Sequence, residues 1–450
     1  MIDPITIIAL SALSALVYIL VGMIPGTDET ATIAPIALAL LLAGVDPLLV
    51  LAWFMACIVA FKMADSVPVA LAGIPGGVMA VPQVPDAITA KKEGLADVIL
   101  RKGLAASIIG TIVATVLVLA VSGPLMPVGD FLKVKDVVLG VEVPRWFWIL
   151  FLGTVILAVT SQNPALALLT IPAFALVIQG LRGVYGKTVF ISFFLGITIG
   201  PLLMELFSVL NKKLRKEYER SGKMRIRIAK TKEIPLNPFK HLTKEEAGHA
   251  GVWAAITSVL ATFMSPVGLT ILIGDLLKKT KKDPVEGALL AYSVRDAIKN
   301  ATYIGGTLIP LLVLGVPTGP MSAGPALPFF LQINGQVPAE YLLQTYDYMT
   351  IAGVVLLSVL VGGLLAYTIL TKYSRKLTLF VFRKVPAEAL YGIFIAIVLL
   401  LSYHDAGIAG IFGMLAVSIL AGTLWKLGVS LGVLFMTLVM APILVSFFGL

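Results

Sequence analysis

Apolar segments of membrane-spanning length follow one another along almost the whole chain. A helix needs about 20 apolar residues to cross a bilayer. The candidate spans include 5–23, 29–45, 47–62, 66–90, 103–122, 146–160, 164–180, 188–209, 351–371, 389–403, 408–427 and 431–448. Only 13% of the residues are charged, whereas soluble domains contain about 25%. The pattern predicts an all-α polytopic membrane protein with roughly 12–14 membrane elements.

One long polar segment, residues 210–249, divides these spans into two groups. It carries twelve Lys and Arg residues against five Glu, and cytoplasmic loops of membrane proteins are enriched in Lys and Arg. We therefore expect a plasma-membrane protein with a first transmembrane repeat over 1–209, a cytoplasmic linker over 210–249 and a second transmembrane repeat over 250–450. A patch for anionic lipid or a partner is the alternative role of the linker. The net charge of +9 belongs to such loops and does not predict nucleic-acid binding.

A glycine–proline motif interrupts the hydrophobic sequence twice. We name Gly73–Gly77 (GIPGG) the first Gly-Pro break and Gly315–Gly319 (GVPTG) the second Gly-Pro break. Proline lacks a backbone donor and glycine gives the backbone extra freedom, so neither suits an uninterrupted helix. Inside a membrane, such a break is tolerated only where the freed backbone groups are buried in protein or line a cavity. We expect two broken or re-entrant helices whose breaks form the substrate site.

Landmarks around the two breaks recur in the same order, with Pro25, Asp46-Pro47 and Pro75 matching Pro266, Asp283-Pro284 and Pro317. Of two loops at equivalent positions, one contains basic residues and the other contains none. Residues 43–45 contain no basic residue but 278–282 contain four lysines, whereas basic residues follow the first break and none occurs in 332–350. Because basic loops stay on the cytoplasmic side, equivalent loops should lie on opposite sides. Such inverted-topology repeats with broken helices are typical of secondary transporters that bind substrate near the middle of the bilayer.

Donors near the two breaks are suited to holding an anion. Helices that begin near Val78 and Pro320 would direct unpaired N–H groups and the positive end of the helix dipole at the breaks. Helix kinking or close packing is the alternative role of the glycines and prolines. The predicted substrate-binding residues are Ser66, Gly73, Pro75, Gly76, Gly77, Asn300, Gly315, Pro317, Thr318, Gly319 and Ser322.

Charged residues inside the predicted spans form a second candidate group. Lys62 and Asp65 are three residues apart, as are Asp296 and Lys299, and this spacing places two side chains on one helix face. Because charges in a membrane are costly, each pair is either a structural ion pair or functional. For Arg295 we expect a position at a helix end, with the side chain reaching the cytoplasmic interface.

Asp28 and Glu29 lie just after Pro25, where the segment 24–28 joins the first two predicted spans. Both are candidates for ion coupling, because a carboxylate can bind Na⁺ together with freed carbonyl groups or can carry a proton. The alternative is that Thr27 or Asp28 caps the helix that begins near Glu29. Na⁺ as a coupling ion is the only metal that we predict, and we expect no other cofactor.

Features of an enzyme are weak. His241 and His249 lie in the polar linker and His404 adjoins Asp405, without the spacing of metal ligands. The chain contains neither a Walker A motif nor a nucleophile elbow, and we predict that it is not an enzyme. An ion channel and a transporter of a cationic or neutral solute are the rival functions.

Short motifs in a fixed order resemble the large membrane subunit of the tripartite tricarboxylate transporter family. They are GMIPG at 22–26, GVDP at 44–47, GIPG at 73–76, DAITAKKEG at 86–94, AIKNA at 297–301 and GGTLIPLLVLGVP at 305–317. Lys299-Asn300 stands where that family commonly has paired asparagines. The resemblance implies secondary active transport of small organic anions, above all carboxylates, across the lipid bilayer. It also implies two partners, a small membrane subunit and an extracytoplasmic binding protein.

Overall fold

The computed structural model describes residues 3–74, 76–185, 189–211, 235–385 and 387–449. The helices of the first half are α1 (Pro4–Gly22), α2 (Glu29–Leu42), α3 (Pro47–Ala64), α4 (Ser66–Ala72), α5 (Val84–Lys92), α6 (Ala96–Lys133), α7 (Trp146–Val159), α8 (Pro164–Tyr185) and α9 (Phe190–Leu210). Those of the second half are α10 (Lys244–Leu260), α11 (Pro266–Lys278), α12 (Pro284–Ile309), α13 (Pro320–Ala323), α14 (Pro338–Thr345), α15 (Tyr348–Lys384), α16 (Ala387–Lys426) and α17 (Leu431–Ser446). A short antiparallel hairpin, β1 (Lys135–Val138) and β2 (Val141–Pro144), separates α6 from α7.

Long apolar helices confirm the prediction of an all-α polytopic membrane protein. Within the described ranges, eight helices are long and apolar enough to cross a bilayer, and three shorter apolar helices accompany them. α16 has non-helical backbone at Ala406 and Gly407, between the two spans predicted at 389–403 and 408–427. Most of the predicted linker lies outside the described residues, and α10 already begins at Lys244.

The order and length of the elements recur in the second half. α1, α2 and α6 have 19, 14 and 38 residues, and α10, α11 and α15 have 17, 13 and 37. Both broken helices end at a left-handed glycine, Gly73 with φ 76° and Gly315 with φ 68°, a conformation that residues with a side chain rarely adopt. Gly77 and Gly319 then share extended backbone, with φ −141° and −140°. The repeat of landmarks thus extends to backbone geometry, whereas the opposite orientation of the halves stays a prediction.

Packing between helices recurs in the same way. α3 packs on α1 and on α15, and α12 packs on α10 and on α6. Each long helix meets its broken helix at a glycine, since a Cβ at Gly362 of α15 would lie 2.8 Å from Ala56 and one at Gly110 of α6 would lie 2.8 Å from Ala297. Small residues of this kind let membrane helices approach closely. The broken helices therefore sit at the centre of the bundle. Of the residues in their most apolar 18-residue stretches, 89% and 100% are buried, against 33–56% for the other long helices.

Candidate substrate and ion site

Five charged side chains form an alternating row between the first half and α12, which we name the buried charge row. Lys62 Nζ lies 3.0 Å from Glu29 Oε2 and 3.4 Å from Asp65 Oδ2. Lys299 Nζ lies 2.5 Å from Asp65 Oδ1 and 2.8 Å from Asp296 Oδ1. The side chains of Lys62, Asp65, Asp296 and Lys299 are fully buried, and that of Glu29 is 6% exposed. The two predicted pairs are confirmed, and the structure joins them through Asp65 and Lys299.

The charge row has three carboxylates and two ammonium groups, so it carries one uncompensated negative charge when all five are ionised. A buried charge costs several kcal/mol unless it is paired. The row is supported by the ring of Tyr303, whose centroid lies 4.4 Å from Lys62 Nζ. Binding of one proton or one monovalent cation would make the row neutral.

Ser66 and Asn300, two predicted substrate donors, lie inside this core. The Ser66 hydroxyl donates to Asp296 Oδ1 at 2.5 Å and accepts from Lys299 Nζ at 2.5 Å. Tyr292 donates its hydroxyl to the Ser66 carbonyl at 3.0 Å. The Asn300 side-chain amide donates to Ser107 of α6. Both residues are 0% exposed, so in this conformation they stabilise the charge row and the contact between α12 and α6.

The first Gly-Pro break folds back against the charge row. A Cβ at Gly76 would lie 2.3 Å from the Asp65 carbonyl, and one at Gly77 would lie 3.2 Å from the Thr27 carbonyl, 3.6 Å from Asp65 Oδ2 and 3.8 Å from Glu29 Oε2. The Gly26 N–H donates to the Gly76 carbonyl at 2.9 Å. Only glycine permits this approach, which brings the break against residues 26–29. Pro75, another predicted site residue, lies outside the described residues.

The second Gly-Pro break makes the corresponding contact with residues 261–265. A Cβ at Gly319 would lie 2.7 Å from the Thr262 carbonyl. Ser322 caps α13, because its hydroxyl accepts from the Gly319 N–H at 3.1 Å. Pro317 and Thr318 are buried, and the hydroxyls of Thr318 and Thr262 have no hydrogen-bond partner among the described residues. The cation at this break comes from α6, because a Cβ at Gly315 would lie 3.8 Å from Lys133 Nζ.

Helical segments begin directly after both breaks, as predicted. The first is a 3-10 helix, Val78–Gln83, that continues directly into α5 at Val84. The second is α13, which has four residues and ends at Gly324, whose φ of −101° and ψ of −102° are not helical. The dipole effect depends on aligned peptide groups, and binding of an anion by these N-termini stays a prediction.

A cavity of about 460 Å³ opens beside the first break, and we name it the Asp28 cavity. Its lining combines the turn before α2, the break itself, and residues of α9, α16 and α17, as follows: Gly26, Thr27, Asp28, Ala31, Thr32, Gly77, Val81, Thr198, Ile199, Pro201, Leu202, Phe394, Trp425 and Leu431. Cavities of roughly 300–1,000 Å³ with mostly apolar walls are typical of small-molecule sites. Among the described lining residues, Asp28 carries the only formal charge.

Asp28 has one of the two roles considered from the sequence, the helix cap, and its role in ion coupling stays a prediction. Its Oδ1 accepts from the Ala31 N–H at 3.0 Å, so it caps α2, while its side chain borders the cavity. Of the predicted substrate-binding residues, the described lining includes Gly77. Thr198 of α9 and Trp425 of α16, which the sequence analysis did not select, also line the cavity. The only local signal for Thr198 is a polar residue three positions before Pro201 in an apolar helix.

Arg295 does not reach the membrane interface as predicted, since it is 2% exposed. Its guanidinium contacts Asp86 of α5 and Asp275 of α11, and it donates to the Pro82 carbonyl at 2.9 Å. Asp86 also accepts from Lys278 at 2.6 Å. We name this group the Asp86 cluster. The guanidinium of Arg295 is buried between α12 and α11, because Gly274 of α11 has no side chain that would collide with it.

An equivalent contact joins the other pair of elements. Asp46, before α3, accepts from the Tyr346 hydroxyl at 2.6 Å, and Tyr346 follows α14. Burial, together with this hydrogen bond, raises the pKa of Tyr346 above its ordinary value. Asp46 directly follows residues 43–45, the loop that corresponds to 278–282, and α14 follows the second break as α5 follows the first. Each contact thus joins the element that follows one Gly-Pro break to the other half of the protein, one through ion pairs and one through a hydrogen bond.

Buried charges, helices interrupted at paired glycine–proline breaks and a polar-edged cavity within a bundle of apolar helices are features of membrane transporters. A family model, the tripartite tricarboxylate transporter TctA family, matches residues 8–436. The chain belongs to this family, which is one of transporters rather than enzymes. No curated protein and no solved structure matches the chain.

Proposed function

We propose that this chain moves small carboxylate anions across the membrane by alternating access, coupled to Na⁺ or H⁺. The family match supports transport of tricarboxylates. The observation that carries the proposal is the Asp28 cavity, which meets the buried charge row at residues 27–29 and Gly77. Substrate and coupling ion would therefore bind side by side.

Charge explains why the two would bind together. Asp28 borders the cavity and the adjacent row has an excess of one negative charge, so a carboxylate entering alone meets repulsion in a medium of low dielectric constant. A Na⁺ or proton held by Asp28 or Glu29 lowers that combined charge from −2 to −1 and so reduces the repulsion. For Na⁺, the oxygens of Thr27, Glu29 and Asp65 that converge around Gly77 are ligands of the hard type that such cations prefer. Each ligand then raises the affinity for the other, as coupling requires.

Opening and closing would use the Asp86 cluster and the Asp46–Tyr346 contact. Both join an element that follows a Gly-Pro break to the other half of the protein. In an inverted repeat they lie on opposite sides of the bilayer, so alternating access breaks one while the other is made.

A transport subunit of a tripartite system works with further components. The family name supports a small membrane subunit and an extracytoplasmic binding protein as partners. We place the chain in the plasma membrane, with residues 210–249 on the cytoplasmic side.

A thermal-shift assay with the purified chain tests substrate and coupling without a partner. Di- and tricarboxylates are added in Na⁺ or K⁺ at two pH values, and a ligand at 100 times its dissociation constant adds about 2.7 kcal/mol of apparent stability. We expect carboxylate stabilisation that depends on Na⁺ or pH, and its loss in Asp28→Asn or Glu29→Gln. Asp130→Asn, whose side chain is 85% exposed, is the matched control. Equal stabilisation in all conditions would contradict coupling.

A cationic solute is the second candidate substrate, because the described cavity lining carries a carboxylate and neither Lys nor Arg. Cationic solutes in the same assay separate the two proposals. Stabilisation by a cationic solute, with none by any carboxylate, would overturn the anion proposal. Uptake into vesicles that ignores ion gradients would favour a channel.

A further inference from the structure

A second, smaller cavity lies between the start of α6 and the end of α15, away from the Asp28 cavity. Its volume is about 100 Å³, and its lining is Asp97, Leu100, Arg101, Leu104, Leu370, Thr371, Lys372, Ser374, Arg375 and Lys376. We name it the α6–α15 pocket. Four cationic side chains and one carboxylate line it, so its net charge is +3.

Among the described residues, Arg101, Lys372 and Lys376 form no ion pair. Arg375 holds the one carboxylate, with its Nε 2.8 Å from Asp97 Oδ1. Arg101 is half-buried and forms no ion pair with any residue of the described ranges. Lys372 and Lys376 are exposed at the rim. An arginine that is partly desolvated without a carboxylate favours an anionic ligand.

Two hydroxyl groups lie beside the cations. Thr371 is 4% exposed and Ser374 is 7% exposed, and the hydroxyl of Tyr367, one turn earlier on α15, is a hydrogen-bond neighbour of Thr371. Leu100, Leu104 and Leu370 form the remaining wall and are 2%, 0% and 0% exposed, so they belong to the protein core. A phosphate group matches this combination of cations and hydroxyl groups.

The pocket occurs at one end of the helix pair only. At the other end, Tyr348 donates its hydroxyl to the Leu119 carbonyl and its ring packs on Gly123. The loop there, 332–350, has no Lys or Arg. The pocket is therefore not a general consequence of how α6 and α15 meet. It lies where the basic residues predict the cytoplasmic leaflet.

We propose that the α6–α15 pocket binds the phosphodiester headgroup of an anionic phospholipid of the cytoplasmic leaflet. Arg101, Lys372 and Lys376 contact the phosphate and Thr371 donates to it, while the acyl chains stay in the surrounding bilayer. Basic pockets between membrane helices are known to suit such headgroups. Because α6 and α15 are the equivalent long helices of the two halves, the lipid stabilises their contact.

The test measures lipid binding and melting of the full chain in bilayers of phosphatidylcholine with and without phosphatidylglycerol. We expect phosphatidylglycerol to raise the melting temperature of the unmodified chain. Lys372→Gln with Lys376→Gln should weaken its retention about thirtyfold, and Thr371→Val should weaken it without changing charge. Arg383→Gln with Lys384→Gln, on the same helix but outside the described lining, is the matched control and should retain the lipid.

Three results would overturn the proposal. The proposal is wrong if phosphatidylglycerol does not change the melting temperature. It is also wrong if the control variant loses as much lipid retention as the lysine variant, because the effect would then come from diffuse surface charge. Equal stabilisation by inorganic phosphate in phosphatidylcholine alone would assign the pocket to a free anion. Melting of every variant in pure phosphatidylcholine separates lost lipid binding from misfolding, and Thr371→Val keeps the test valid if the lysine variant misfolds.

Discussion

Lys299 is the residue whose removal should most affect stability, because it holds Asp65 and Asp296 within the protein core. Lys299→Met leaves two buried carboxylates with one fewer cation, and loss of one partner of a buried ion pair costs about 3–5 kcal/mol. Unfolding of the purified variant measures this. Lys281→Met is the control, since its pair with Glu245 is 26% and 48% exposed and such pairs contribute about 0–1 kcal/mol.

A second variant separates charge from packing at this position. Asp296→Asn with Lys299→Met removes one acid together with the cation, so it should be less destabilising than Lys299→Met alone. If the double variant were the less stable of the two, the buried charge row would owe its stability to packing.

Individual residue pairs were predictable only within one helix. The spacing of Lys62 and Asp65, and of Asp296 and Lys299, predicted two ion pairs, and both occur. Their connection through Asp65 and Lys299 depends on how α3 and α12 cross, which no local pattern specifies. For the same reason Arg295 was assigned to an interface, although its carboxylate partners come from α5 and α11.

At the scale of elements, the joint between α3 and α4 and the first break act as one packed unit. Gly76→Ala would place a Cβ 2.3 Å from the Asp65 carbonyl, and overpacking of this kind costs about 1–3 kcal/mol. We expect a lower unfolding midpoint and less folded protein. Gly180→Ala is the control, because a Cβ there meets nothing within 4 Å and alanine favours a helix. Equal effects of both variants would contradict close packing at the break.

The elements after the breaks show a limit of motif reasoning. Glycine and proline predicted that the helices stop, which is confirmed by Gly73 and Gly315. Helical segments begin at Val78 and Pro320 as predicted, but the motifs did not indicate that the first continues into α5 whereas α13 ends after one turn at Gly324.

Weakening the Asp86 cluster and weakening the Asp46–Tyr346 contact should open the Asp28 cavity to opposite sides of the membrane. Asp86→Asn weakens the ion pairs to Arg295 and Lys278, and Asp46→Asn weakens the acceptor for Tyr346. A thiol placed in the Asp28 cavity by Thr198→Cys, in a Cys57→Ala background, reports access from each side. We expect Asp86→Asn to speed its labelling from the side of the basic loops and Asp46→Asn from the opposite side. An increase on the same side for both would contradict paired closure.

For the whole molecule, the sequence predicted the membrane class, the family and the recurrence of landmarks. Most of the Asp28 cavity was not predictable, because α9, α16 and α17 contribute apolar residues such as Phe394 and Leu431 that resemble any lipid-facing position. Only the helix packing brings them to residues 26–28. The sequence located the Asp28 and Gly77 side of the cavity, and the fold supplied the opposite wall.

The opposite orientation of the two halves is a prediction from loop charge and can be measured directly. Cys57, the single cysteine, is buried, so Cys57→Ala gives a background for single cysteines at Val45 and Lys282 in the equivalent loops. An impermeant thiol reagent should label Val45→Cys from outside intact cells and Lys282→Cys only after the membrane is opened. If both were labelled from one side, the halves would be parallel repeats. The Asp86 cluster and the Asp46–Tyr346 contact would then close the same side, which alternating access excludes.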